Sequence, residues 1–172
     1  MDITQLILDD HAEQRRLFSI IEQIDPSDTE ALTAVWSRLK AFLDVHAEAE
    51  ERFFYPELLK LGEGANDAED GTVEGETEDA IEDHNKLRDA VKAVEQYPVG
   101  TGAWIEAVGK ANVVNSKHMG EEERQGLTDF RRNASLQLRH DLAIQYAAFE
   151  AEHLTGVKAV NKDPEEYIEK HG

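Results

Sequence analysis

Two stretches of the chain, His46-Ala47-Glu48-Ala49-Glu50 and His118-Met119-Gly120-Glu121-Glu122, each place a histidine and a glutamate four residues apart within an apolar helical stripe. On an α-helix such positions stack on one face, so each pair presents two ligand-type side chains in one direction. Phe42, His46, Glu50 and Phe53 share one face, and Val114, His118, Glu122 and Gln125 share another. Any fold of this chain must therefore turn ionisable groups toward its core. Buried without partners, they carry a heavy desolvation cost.

One such pair arises readily by chance in an acidic helical protein, so the weight lies in repetition. His11 precedes the first pair by 35 residues and His84 precedes the second by 34. At an offset of 73, Asp10-His11, Arg15 and Glu22-Gln23 recur as Asp83-His84, Arg88 and Glu95-Gln96. At 72, His46 and Glu50-Glu51-Arg52 recur as His118 and Glu122-Glu123-Arg124. This is an internal repeat of a helix pair. It nominates His11, His46, Glu50, His84, His118 and Glu122 as metal ligands. The competing reading is a core in which the four histidines hydrogen-bond the two glutamates, and metal is the simpler partner.

Apolar residues recur at helical spacing in four long blocks and nowhere alternate as in a strand, so the chain reads as all-α. The first helix runs from about Thr4 to Ile24, with Ile7, Leu17, Phe18 and Ile21 on its apolar side, and stops before Asp25-Pro26. The second opens at Ser27-Asp28-Thr29-Glu30, a capping-box spacing, and continues toward Lys60, with Pro56 kinking or closing its last turns. The third spans about Thr77 to Tyr97, and the fourth about Gly102 to Gln125. Between the two pairs, residues 62–76 read as an acidic linker, since Glu63 to Asp79 hold eight acids, three glycines and no Lys or Arg. These connections suit an antiparallel up-down-up-down four-helix bundle over about 2–125. A C-terminal extension over about 127–172 adds a helix near Asn133 to Leu154 and another opened by Asp163-Pro164-Glu165-Glu166. The 172 residues suit one domain.

The absence of cysteine excludes disulfides, zinc fingers and thiolate-bound clusters, so any metal must sit on histidine and carboxylate. A formal charge of −19 repels phosphate backbones and anionic membranes, which argues against nucleic-acid and membrane partners. No basic flank precedes an apolar run at the start and no stretch is long enough to span a bilayer, so a cytoplasmic location is expected.

The doubled His…His-x-x-x-Glu pattern resembles the HHE cation-binding domains of the hemerythrin superfamily, of bacterial type, over about Asp2 to Gln125. The resemblance implies a carboxylate-bridged non-haem di-iron centre in a four-helix bundle. Glu50 and Glu122 would bridge, the four histidines would be terminal ligands, and an oxo or hydroxo bridge with an open position would complete each iron. Manganese or zinc accept the same ligands. The pattern departs from that of the oxygen-carrying hemerythrins, which have a further His four residues after the third-helix His and an Asp five residues after the fourth-helix His. Here those positions hold Arg88 and Glu123, and arginine, always protonated, does not ligate metal. Arg15 and Arg88 are then either hydrogen-bond donors to the bridging carboxylates or surface ion-pair residues.

Two function classes follow: a redox protein of oxidative stress reacting with peroxide, nitric oxide or O2, and a module that binds or senses O2 or iron without turnover. Loss of the fifth histidine favours the first. The Glu150-Ala151-Glu152-His153 sequence matches the Glu-x-x-His of ferritin-like proteins, but that fold needs two copies. His140, His153, His171 and Tyr55, the last about opposite His46 on the wheel, are left outside the ligand set. Phe18, Phe42, Val91 and Val114 should close one end of the site. At the other end, among Ile7, Phe53, Ala80 and Gln125, the small Ala80 side chain leaves room for molecules to enter.

Overall fold

The computed structural model describes residues 1–64 and 71–172, and among the described residues every regular element is helical. Residues 65–70 of the expected linker lie outside them. The first helix, α1 (Ile3–Gln23), is capped by Asp2, whose carboxylate accepts from the Thr4 N–H. The second, α2 (Thr29–Ala49), is capped by Asp28 rather than by the expected Ser27, whose hydroxyl donates to Asp25 instead.

The rod expected to run on to Lys60 is interrupted at Glu50, one of the nominated ligands. Residues Glu50–Phe54 form a π-helical turn in which the Tyr55 N–H reaches back five residues to the Glu50 carbonyl. Pro56 supplies the reason: it has no N–H to return to Arg52, and its ring crowds the carbonyl four residues earlier. One extra residue in the turn relieves that clash, and such bulges favour functional sites. The helix resumes as α3 (Tyr55–Leu61).

After the linker, α4 (Val73–Val94) starts four residues before the expected Thr77, because the Thr72 hydroxyl caps the Gly75 N–H. Then come α5 (Gly102–Arg124), capped by Thr101, and α6 (Gly126–Asn133). Helix α6 has no counterpart in the sequence-based expectation, and the helix expected from about Asn133 to Leu154 is α7 (Leu136–Glu152), which begins only after its own cap, Ser135. The last, α8 (Pro164–His171), is capped by Asp163, as its sequence predicts.

Helix α1 packs along α2 and α4 along α5, while contacts between α1 and α5 and between α2 and α4 join the pairs. Helix α7 covers α1 and α2, and α8 covers α4 and α3. Two apolar clusters result. One holds Leu17, Leu43, Leu87 and Ala111; the other holds Ile7, Phe54, Ile81 and Leu127, together with α7 residues such as Tyr146. Along each of the four long segments, the nominated ligands fall between a residue of one cluster and a residue of the other. They form a polar layer sealed above and below by hydrocarbon.

Candidate metal centre

All six nominated residues are buried, and they converge. His11, His46 and Glu50 form one group, and Glu50, His84 and His118 a second, with the ligand atoms of each lying within 4.8 Å of one another. Glu50 belongs to both. Its Oε1 lies 3.0 Å from His46 Nε2 and 3.9 Å from His11 Nε2, while its Oε2 lies 3.2 Å from His84 Nε2. The Nε2 atoms of His84 and His118 are 3.0 Å apart. Glu122 presents Oε2 to His11 Nε2 at 3.2 Å, and its Oε1 accepts a hydrogen bond from the Tyr55 hydroxyl at 2.7 Å.

These atoms fit a cation better than they fit one another. His11 Nε2, His46 Nε2, both oxygens of Glu50 and Oε2 of Glu122 are buried with no hydrogen-bond partner among the described residues. Each unsatisfied buried polar group costs about 1–3 kcal/mol, and more when charged. A self-sufficient hydrogen-bonded core would not leave five such atoms facing one another in a single layer. Imidazole nitrogen and carboxylate oxygen are the ligands that divalent iron, manganese and zinc accept.

The outer nitrogens are held by a cross-connection between the two halves of the repeat. His84 Nδ1 donates to Glu51 Oε1 at 2.8 Å, where the Arg88 guanidinium also donates at 2.8 Å. His11 Nδ1 donates to Glu123 Oε1 at 2.9 Å, joined by Arg15 at 2.7 Å. Each half thus supplies the carboxylate that orients the other half's histidine, which fixes tautomer and ring rotation at a metal site. The two arginines reach Glu51 and Glu123, not the proposed bridges, and only Arg88 is buried. Glu123, where oxygen carriers place an aspartate, spends its near oxygen on His11 Nδ1.

Electrostatics follow from burial and proximity. Burial alone would push Glu50 up, yet His46 and His84 outweigh it and hold its carboxyl well below the usual range. Burial would likewise lower His46, but Glu50 and Asp10 hold it well above its ordinary value. Burial, reinforced by the Glu50 charge, pushes Glu122 up. His118 is pushed well down by burial and then by His84. Protons and cations compete for the same atoms.

A narrow cleft of about 20 Å³, room for one water-sized molecule, reaches this layer beside His118 and Glu122. Tyr55, Ala80 and Gln125 line it, and Glu76, Asp79, Asp83 and Glu121 make its walls acidic. At the opposite end Phe18 and Val91 are buried, with Phe42 and Val114 packed against the same cluster. A buried polar pair also lies in the bundle: Asn115 Nδ2 donates to Gln14 Oε1 at 2.8 Å. Tyr55, placed outside the site by the wheel, is within it, because the π turn shifts the register ahead of it. His140, His153 and His171 bond backbone carbonyls and join neither group.

The family model described as the hemerythrin HHE cation binding domain matches residues 2–129. No curated protein and no solved structure gives a significant match.

Proposed function

This chain belongs to the hemerythrin HHE cation-binding domain family, and from that membership we propose a single domain whose four long helical segments form an antiparallel up-down-up-down bundle around two iron ions. One ion would sit on His11, His46 and Glu50, the other on His84, His118 and Glu50, with Glu122 as the second carboxylate. The observation that carries the reading is the position of Glu50, which turns one oxygen to each histidine pair. When bound, an iron pair supplies a two-electron change suited to peroxide, O2 or nitric oxide.

The chain's own residues supply the rest. The four imidazoles and Glu50 hold and space the ions. Tyr55 orients Glu122 at the inner end of the cleft. The two apolar clusters keep bulk water off the layer, which strengthens every charge interaction inside it. With Arg88 engaged by Glu51 where a carrier has its fifth histidine, the reading is reaction with peroxide or nitric oxide rather than stable oxygen carriage.

Metal analysis and an optical spectrum of protein purified without added metal test the centre. Two irons per chain with oxo-to-iron charge-transfer bands are expected, and a chain that retains no metal overturns it. Adding hydrogen peroxide to the iron-loaded protein then separates the function classes: sustained consumption over many equivalents supports turnover, and a single stoichiometric change identifies a binding or sensing module.

A further inference from the structure

Residues 130–172 lie beyond the region matched by the family model, yet one of their side chains reaches the outer face of His46 and another reaches the carboxylate behind His84. Tyr146, buried on α7, places its hydroxyl 2.8 Å from His46 Nδ1 and donates to Asp10 Oδ2 at 2.8 Å. Asp10 Oδ2 is itself 3.1 Å from His46 Nδ1, so the three groups close a triangle. Lys162, just before α8, forms an ion pair with Glu51 Oε2 and bonds Glu48 Oε2 at 3.0 Å. Glu51 is the group that accepts from His84 Nδ1.

The segment carrying Lys162 is itself anchored. Asn85 clamps the Lys162 backbone, donating to its carbonyl at 2.6 Å and accepting from its N–H at 2.9 Å. The Tyr167 hydroxyl of α8 donates to the Glu51 carbonyl at 2.5 Å. Lys162 is thus held from both sides against Glu51.

An imidazole that binds a cation through Nε2 carries its proton on Nδ1, and the acceptor of that proton sets the tautomer and the rotation of the ring. The repeat supplies such acceptors for His11 and His84 in Glu123 and Glu51. The extension adds a hydroxyl at His46 and a second cation on Glu51, and it does so once in each metal group.

We propose that Tyr146 and Lys162 are positioning residues for the two metal sites, Tyr146 fixing His46 in the first and Lys162 fixing His84 through Glu51 in the second. The C-terminal extension is then part of the frame of the centre, and its two contacts tune the two ions separately. This inference rests on the two-ion reading above.

Cobalt(II) titration of the full-length chain, followed by its visible absorption, tests it. Wild type takes up two equivalents. Tyr146→Phe, which removes only a hydroxyl, weakens one equivalent about 10–100-fold and leaves the other unchanged. Lys162→Met, which keeps the aliphatic stem, weakens the other to a similar degree, and Lys162→Arg restores it. In a His118→Ala background the remaining site responds to Tyr146→Phe and not to Lys162→Met; in His11→Ala the order reverses. Wild-type affinities in both variants overturn the proposal. So does equal weakening of both equivalents in step with a lowered melting temperature, the mark of a merely structural role. A wild type that binds fewer than two equivalents overturns the two-ion reading itself and takes the inference with it.

Discussion

His84 of α4 hydrogen-bonds through Nδ1 to Glu51, 2.8 Å away in the π turn that follows α2. Glu51 stands five residues after His46, which on a regular helix puts it about 140° round from that histidine. It turns away from its own histidine's face and serves the partner half's histidine instead.

Glu50 and Glu51 should therefore fail in different ways. Glu50→Ala removes the carboxylate common to both groups and is expected to strip both ions. Glu51→Gln keeps the first ion and weakens the second about 10–100-fold by loosening His84. Metal content after dialysis against a weak chelator distinguishes them, and greater loss from Glu51→Gln than from Glu50→Ala would reverse the assignment.

The orphaned nitrogens and oxygens of the layer are compensated only when a cation is present, so removing metal should lower stability. At free metal 100 times the dissociation constant, each site adds about 2.7 kcal/mol. With about 2–4 °C per kcal/mol for a chain of this size, metal removal should cost several degrees or more. Melting curves with and without metal at matched pH check this, and coincident curves would count against a buried site.

Acid should destabilise the metal-free protein through Glu51. Burial opposes its charge, but His84, Arg88 and Lys162 hold its carboxyl down to about 2 from an ordinary 4.5. A depressed folded-state value contributes stability that is present above 4.5 and lost as pH falls toward 2. Denaturant midpoints measured across that window should fall steeply in wild type and more gently in Glu51→Gln. Parallel slopes would refute the linkage.

Ala80 lines the cleft beside His118, and on the proposed reading it gates the route to the metal layer. Ala80→Phe should slow the approach of hydrogen peroxide, a small probe suited to a narrow cleft, while iron content stays at the wild-type level. A bulky change at Val114, packed in the other cluster, should disturb packing more than access. Stopped-flow rates unchanged in iron-replete Ala80→Phe would place the route elsewhere.

The four-residue step put His46 with Glu50 and His118 with Glu122, because it fixes a common helix face whatever surrounds it, and the internal repeat added His11 and His84. The duplicated Asp-His and Glu-Glu-Arg segments likewise revealed an internal repeat of a helix pair. The same reasoning failed where a local rule changed. Pro56 widened the turn at Glu50–Phe54, shifted the register and brought Tyr55 onto Glu122, against the prediction of a regular wheel. Only the tertiary structure decided what stands behind the ligands: Glu123 on His11 from 112 positions away, Tyr146 on His46 from 100, and Lys162 on Glu51 from 111. No periodicity encodes such pairs, since each depends on how separate helices pack and on where the extension crosses them.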